Sequence, residues 1–361
     1  MHLDSLKNSL PNLALFSLLF AGLLYLFVWS SSSSNNPLLL AYHHNSCHGA
    51  AHSSQSHVMK FPLDELELAL HKASMPNKTL IIVVLNKAYV EPNVKFETTM
   101  LDLFLDSFWL GEDTRPLLDH LLLVAVDQTA YDRCIFKRLK CYKMETEGVD
   151  FAGEKLFMSQ DFIKMMWRRT HLLLDVLKHG YSFIFTDADV MWLRNPFPRL
   201  SENESLDLQI STDWFNGDAL SEKNSINTGF YYVRSNNKTI SLFEAWYSRK
   251  DNSTGKKEQD VLLDLMLEGT FRRLDLNPRF LDTDHFSGFC TDSKDIRAVT
   301  TVHANCCRSI SAKLLDLRSV LRDWISFKAA NARRAHTNGT TVPFRWSGHF
   351  GCWNSWNKTS A

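Results

Sequence analysis

Surplus charge, repeated units and zinc-type cysteine spacing are all missing from this chain. Its 40 lysines and arginines balance 40 aspartates and glutamates over 361 residues, so no overall field draws it to nucleic acid or to an anionic membrane surface. No segment recurs along the sequence, which excludes a repeat architecture. Seven cysteines are present, but no pair is matched by two further ligands at zinc spacing, and a structural zinc site is not expected. Between Lys7 and Lys60 there is no lysine or arginine at all. That gap bears on topology, because an apolar run lies at its start.

Leu13 to Trp29 is that run, 17 residues without a charge. As a helix it spans about 26 Å, close to the hydrocarbon thickness of a bilayer. Lys7 and the terminal amine precede it, so positive-inside bias leaves residues 1–12 cytosolic and everything after the span luminal. The run exceeds a usual signal-peptide core and no Ala-x-Ala site follows closely, so residues 13–29 are expected to be a membrane anchor. Residues 30–57, rich in Ser, Asn and His without apolar period, read as a flexible stem. Residues 58–361 carry the folded domain, in a chain whose 45% hydrophobic and 22% charged content is ordinary for a globular protein. The odd cysteine count leaves at least one outside any bridge within the chain. Cys134 and Cys141 are close enough for a local disulfide, whereas adjacent Cys306 and Cys307 need different partners. Six Asn-x-Ser/Thr sequons, at Asn77, Asn203, Asn237, Asn252, Asn338 and Asn357, fit a secretory route.

Within the domain, Leu80–Leu85 (LIIVVL) and Leu121–Val126 (LLLVAV) are continuous apolar runs of the kind that form strands covered on both faces. Helical spacing over Met100–Trp109 separates them, giving a βαβ unit and a parallel sheet. Asn86 and Asp127 follow the two strands directly, where open sheets place their ligands, and both are candidate donor-binding residues. Ser159 to Gly180 carries the clearest helix signal, with Ser159 as N-cap and Gly180 as stop. Phe162, Met165, Met166, Leu173 and Val176 form its apolar stripe. At 100° per residue Arg169 falls in the middle of that stripe, and a buried guanidinium needs an anion.

The stretch from Phe183 to Pro198, FIFTDADVMWLRNPFP, is the centre of the chain. A short aromatic and β-branched strand, Ser182–Thr186, ends at two carboxylates, Asp187 and Asp189, which point the same way if the segment is extended. An Asp-x-Asp pair also suits a solvated turn. Here it lies between apolar segments, where unpaired carboxylates are costly, and a hard divalent cation resolves that cost. Leu206–Ser211 reads as another strand leading to Asp213 and Trp214. A further strand is expected to begin at Phe230, with Asn227, Thr228 and Gly229 in the turn before it. Asn227 can bond a hydroxyl there and Gly229 permits close backbone approach. Glu258, Gln259 and Asp260 open a helix through Leu267, where acids suit the dipole. An amphipathic helix is expected after Lys313, ending near Trp324. The last aromatics, Trp346, Trp353 and Trp356, read as domain packing.

The segment MMWRRTHLLLDVLKHGYSFIFTDADVMWLRNPFP resembles the plant nucleotide-diphospho-sugar transferases of glycosyltransferase family 77, whose relatives include rhamnogalacturonan-II xylosyltransferases and extensin arabinosyltransferases. The resemblance runs from about Leu80 to Trp324. It implies a GT-A nucleotide-sugar transferase fold, a Rossmann-like mixed α/β sheet flanked by helices. It also implies metal-dependent transfer of a sugar, with a pentose favoured, from a UDP-sugar to a glycan or glycoprotein acceptor with retention of configuration, in the Golgi lumen. Asp187, Asp189 and His303 would then hold Mn²⁺, with Mg²⁺ as the alternative ion. Arg169 and Lys313 would meet the donor diphosphate, and Asp187 would also approach the donor. Asn227, Gln259 and Asp260 would orient sugar and acceptor. A Golgi complex or homodimer stands open as a protein partner; nucleic acid does not. Two other readings stay beside this one. A donor-binding scaffold without turnover shares the same residues, and a haloacid-dehalogenase-like phosphatase shares the strand and Asp-x-Asp but needs a later acidic pair with a lysine.

Overall fold

A computed structural model describes residues 64–92, 96–146, 148–155, 158–334 and 344–356. The expected tail, anchor and stem lie outside these residues, as do Cys47 and the sequons at Asn338 and Asn357. Among the described residues no helix is long and apolar enough to cross a membrane.

Strand β1 (Thr79–Leu85) is the middle of the fold. It pairs in parallel with β2 (Leu121–Ala125) on one side and β4 (Ser182–Thr186) on the other. With β3 (Lys140–Lys143), β6 (Leu208–Trp214), β7 (Ser225–Val233) and β8 (Pro278–Phe280) they form one seven-stranded sheet. Its order is β3-β2-β1-β4-β7-β6-β8. The βαβ unit is parallel as its apolar runs imply, while β7 runs antiparallel to both β4 and β6. The whole is therefore a mixed sheet.

Alternation along β1 divides the interior in two. Ile81, Val83 and Leu85 face a core shared with helices α2 (Met100–Leu110) and α7 (Ile310–Arg334); Leu80 and Ile82 face a second core with α4 (Gln160–Lys178), α5 (Asn237–Ser248) and α6 (Glu258–Leu267). Helix α1 (Glu65–Ala73) joins the second core, and α3 (Gln128–Phe136) lies between β2 and β3. Both faces are covered, which is why the strands read as unbroken apolar runs.

A second sheet, in the order β5-β10-β9, is made from β5 (Val190–Trp192), β9 (Phe286–Gly288) and β10 (Thr301–His303). The chain leaves β4, passes Asp187, Ala188 and Asp189, and enters β5 at once. Because β10 runs antiparallel to β5 with His303 opposite Val190, the histidine arrives beside the Asp-x-Asp turn. Register alone makes that meeting.

Three local expectations change. Strand β7 begins at Ser225, so Asn227, Thr228 and Gly229 lie inside a strand and not in a turn before Phe230. Strand β6 runs on to Trp214 and takes in Asp213. Lys313 sits in the first turn of α7, which continues to Arg334, well past Trp324. Disulfides join Cys134 to Cys141, Cys290 to Cys306 and Cys307 to Cys352. The adjacent cysteines do have different partners.

Candidate active site

A cleft of about 340 Å³ opens where β1, β4 and β7 meet the second sheet, and Asn86, Arg169, Asp187, Asp189, Asn227, Gln259, His303 and Lys313 all line it. Arg169 reaches it from α4. Its Nη1 donates to Asp187 Oδ1 at 2.9 Å, its Nη2 donates to Glu258 Oε1 at 2.6 Å, and the guanidinium lies 4.6 Å from the centre of the Phe185 ring. Helical spacing demanded an anion for this buried cation; the structure supplies two. Burial by itself would lower the Arg169 pKa, but the charges of Glu258 and Asp187 outweigh it and push it up.

Asp187 is a third exposed to the cleft, while Asp189 is buried. Burial pushes the Asp187 carboxyl up; Arg169 opposes that, and the negative charge of Asp189 adds to it. Burial would raise Asp189 as well, yet Lys313 and His303 hold it well below the usual carboxylate range. Lys313 Nζ donates to Asp189 Oδ2 at 2.6 Å, and His303 Nε2 stands 3.5 Å from Asp189 Oδ1 and 3.9 Å from Asp187 Oδ2. Burial lowers the His303 pKa, but the two aspartates, Asp189 first, raise it above its ordinary value.

The donor atoms of Asp187, Asp189 and His303 all lie within 4.8 Å of one another, a spacing and an O/N set that fit one divalent cation. Gly229 makes room for it. A Cβ there would stand 2.3 Å from His303 Cε1 and 2.9 Å from Asp187 Oδ2. Its backbone also fastens the turn, since Asp187 N donates to Gly229 O at 2.7 Å. Asn227 is tied on both sides: Oδ1 accepts from Gly229 N at 2.8 Å and Nδ2 donates to Asp213 Oδ1 at 2.8 Å. Asn305 Nδ2 donates to that same Asp213 oxygen at 2.7 Å. Gln259 Oε1 accepts from Thr228 N at 3.1 Å, holding the start of α6 against β7. Asn86 donates to the carbonyls of Phe151 and Gly153 at 2.9 and 2.8 Å, and its buried Oδ1 has no partner among the described residues.

Two candidates are placed elsewhere. Asp127 caps α3, accepting from Ala130 N at 2.8 Å, and its second oxygen accepts from Lys87 N at 2.6 Å. Asp260 accepts from Lys257 N at 3.2 Å and closes the first turn of α6. Neither lines the cleft. A carboxylate at the start of a helix finds unpaired N–H groups within one turn, and that local demand takes both side chains. Glu258, read from sequence only as one of the acids that open the helix, is the acid that faces inward. The sequence signal for it is the buried Arg169, which requires a counter-ion that helical spacing alone does not identify.

A mixed sheet thus brings two carboxylates, a histidine and two cations together in one cleft. Residues 116–317 match the nucleotide-diphospho-sugar transferase family. An uncharacterized Arabidopsis thaliana protein is 61% identical over 303 residues, covering 83% of this chain and 87% of its own. Another uncharacterized Arabidopsis protein is 41% identical over 82% of this chain and 77% of its own. A beta-arabinofuranosyltransferase of the same plant is 27% identical over 63% of this chain and 42% of its own. The chain belongs to the nucleotide-diphospho-sugar transferase family, and its mixed sheet is flanked by helices on both faces. It is a glycosyltransferase of the nucleotide-sugar type, related to plant pentosyltransferases.

Proposed function

We propose that the protein transfers a pentose from a UDP-sugar to a glycan or glycoprotein, with retention of configuration and dependence on a divalent metal, in the Golgi lumen. The observation that carries this reading is the convergence of Asp187, Asp189 and His303 with Lys313 and Arg169 in one cleft. Transfer breaks the bond between the anomeric carbon and a phosphate oxygen, and negative charge collects on the leaving diphosphate. A divalent cation held by Asp187, Asp189 and His303 would neutralise part of that charge, Mn²⁺ suiting the imidazole and carboxylate donors and Mg²⁺ being the alternative.

Lys313 adds a fixed positive charge beside the same point, and Arg169 holds Asp187 in place without reorganisation. Asn227 and Gln259, each pinned by hydrogen bonds, face the space left for the sugar. The acceptor hydroxyl approaches on the side the diphosphate vacates, its oxygen bonds the anomeric carbon, and its proton passes to the departing phosphate oxygen. Positioning then supplies much of the rate, and the cleft needs no separate base. The arabinofuranosyltransferase relative supports a pentose, and three disulfides support an oxidising, luminal compartment. An N-terminal anchor over residues 13–29 belongs to the same proposal.

The test is hydrolysis of a UDP-sugar panel by the purified protein with Mn²⁺ or with chelator, next to Asp189→Ala, and donor binding on the same samples. Metal-dependent cleavage of one donor, lost in the variant, is the expected result. Failure of every donor to bind in the presence of metal would sink the reading.

A further inference from the structure

Helix α8 (Phe350–Ser355) is six residues long and is fastened more firmly than such a piece requires. Cys352 is bonded to Cys307, and the buried Asp316 carboxylate accepts from Gly351 N at 3.1 Å and Cys352 N at 2.7 Å. Yet the large side chains it presents lie open: Phe350 is 63% exposed, Trp353 68% and Trp356 43%. The expected packing role is met by Trp346, which packs against the core and donates to Ser293 O, and not by the exposed Trp353 and Trp356. Exposed aromatics on a rigid mount mark a binding surface.

Around them runs a groove of about 530 Å³, within the range of ligand sites. Phe289 and His349 stack at 3.7 Å between ring centres, and His349 Nε2 is fixed by Asp292 Oδ1 at 2.8 Å. Trp356 is held by Arg308, 4.0 Å from its ring, and donates from Nε1 to Cys306 O at 2.7 Å. Trp356 and Cys306 also line the donor cleft. Phe289 N donates to His303 O at 3.0 Å, so β10, which brings His303 to the metal-type cluster by pairing with β5, also fixes the groove wall by pairing with β9.

We infer that this groove is the acceptor subsite, and that it takes a neutral oligosaccharide whose sugar faces stack on Trp353 and Trp356; the inference rests on the transferase reading above. Sugars present faces of polarised C–H groups that suit the negative face of an aromatic ring. Among the described residues no aspartate, glutamate, lysine or arginine lines the groove, which disfavours an acidic polysaccharide and a charged peptide. Continuity with the donor cleft puts the occupant where an acceptor hydroxyl must arrive.

The experiment is quenching of tryptophan emission in the full chain by arabinobiose, xylobiose and galactobiose, repeated with Trp353→Ala and Trp353→Phe, and followed by the acceptor KM for whichever sugar binds. Expected is quenching by at least one disaccharide, an apparent Kd raised about tenfold in Trp353→Ala and restored in Trp353→Phe. No quenching by any of the three, or quenching that Trp353→Ala leaves in place, overturns the inference. So does conversion of a dimer to a monomer by Trp353→Ala, which would assign the groove to a second copy. Removal of residues 357–361 that shifts the emission without sugar would assign it to the chain's own terminus. Binding of disaccharide without turnover of any UDP-sugar would keep the groove and discard the transferase; donor hydrolysis without Trp353-dependent quenching would do the reverse.

Discussion

Two charge clusters meet at the Asp187–Ala188–Asp189 turn, and they are built differently. On the α4 and α6 side, Arg169 is closed in by Asp187 and Glu258, with Thr228 Oγ1 also donating to Glu258 at 3.0 Å. Arg169 is paired with both acids, side-chain exposure of Arg169 and Glu258 is 6% and 3%, and Glu258 Oε2 is buried with no partner among the described residues. On the α7 side, Asp189 is shared by Lys313 and His303, and both carboxylates and the imidazole crowd one point. The first cluster pairs its cation within the protein and positions a backbone turn; the second concentrates ligand atoms that one external cation can satisfy. Stability should therefore depend on the first and turnover on the second.

Arg169→Met is the sharpest way to break that division. It leaves Glu258 buried without its cation, and a loss of about 3–5 kcal/mol of stability is expected, read by urea unfolding. Glu258→Met added to it should recover much of the loss while activity stays low. Asp189→Ala is the converse case: a drop of about 10²–10³-fold in donor turnover with a far smaller change in the unfolding midpoint, measured by initial rates across a Mn²⁺ titration. If the two variants lose stability equally, the comparison fails. Gly229→Ala joins both sides, since its Cβ meets His303 and Asp187. It should cut turnover about 10²-fold and lower thermal stability by 1–3 kcal/mol, a typical cost of overpacking, roughly stated.

A control far from the cleft calibrates these effects. Asp102 closes the capping box of α2 with Thr99 and pairs with Lys137 at 2.5 Å. Burial would raise its pKa, but the hydrogen bonds from Lys137 and Thr99 hold it below the model-peptide value of 3.8. A depressed carboxylate contributes stability above its unfolded pKa and loses it as pH falls through the folded one. Asp102→Ala should thus cost about 1 kcal/mol at neutral pH. The gap to wild type should narrow in acid unfolding curves below about pH 3.8, while donor turnover stays unaffected.

Much of the fold was legible because its signals are local. Unbroken apolar runs announced β1 and β2, aromatic and β-branched residues announced β4, and Ser159, the 100° spacing and Gly180 announced α4. Spacing on α4 even showed that Arg169 is buried. Local demand also moved two candidates: Asp127, beside a strand end, and Asp260, which the family resemblance implied, both give their carboxylates to neighbouring backbone N–H groups. Asn227 to Gly229 read as a turn because polar residues and glycine resemble one, whereas Asn227 pairs with Ser211 of β6 and Thr228 and Gly229 fall at the register shift beside it, inside β7.

By itself the sequence determined the apolar faces, the helix caps, the Asp-x-Asp pair at the end of a buried strand and membership of its family. Those depend on neighbours within a turn or two of chain. Only the tertiary structure decided that Glu258 and not Asp260 meets Arg169, 89 residues away, and that Lys313 meets Asp189 across 124. It also decided which cysteines pair and that Trp353 faces out. Strand register and helix docking set such contacts, and burial periodicity along a chain says which face is covered without saying what covers it.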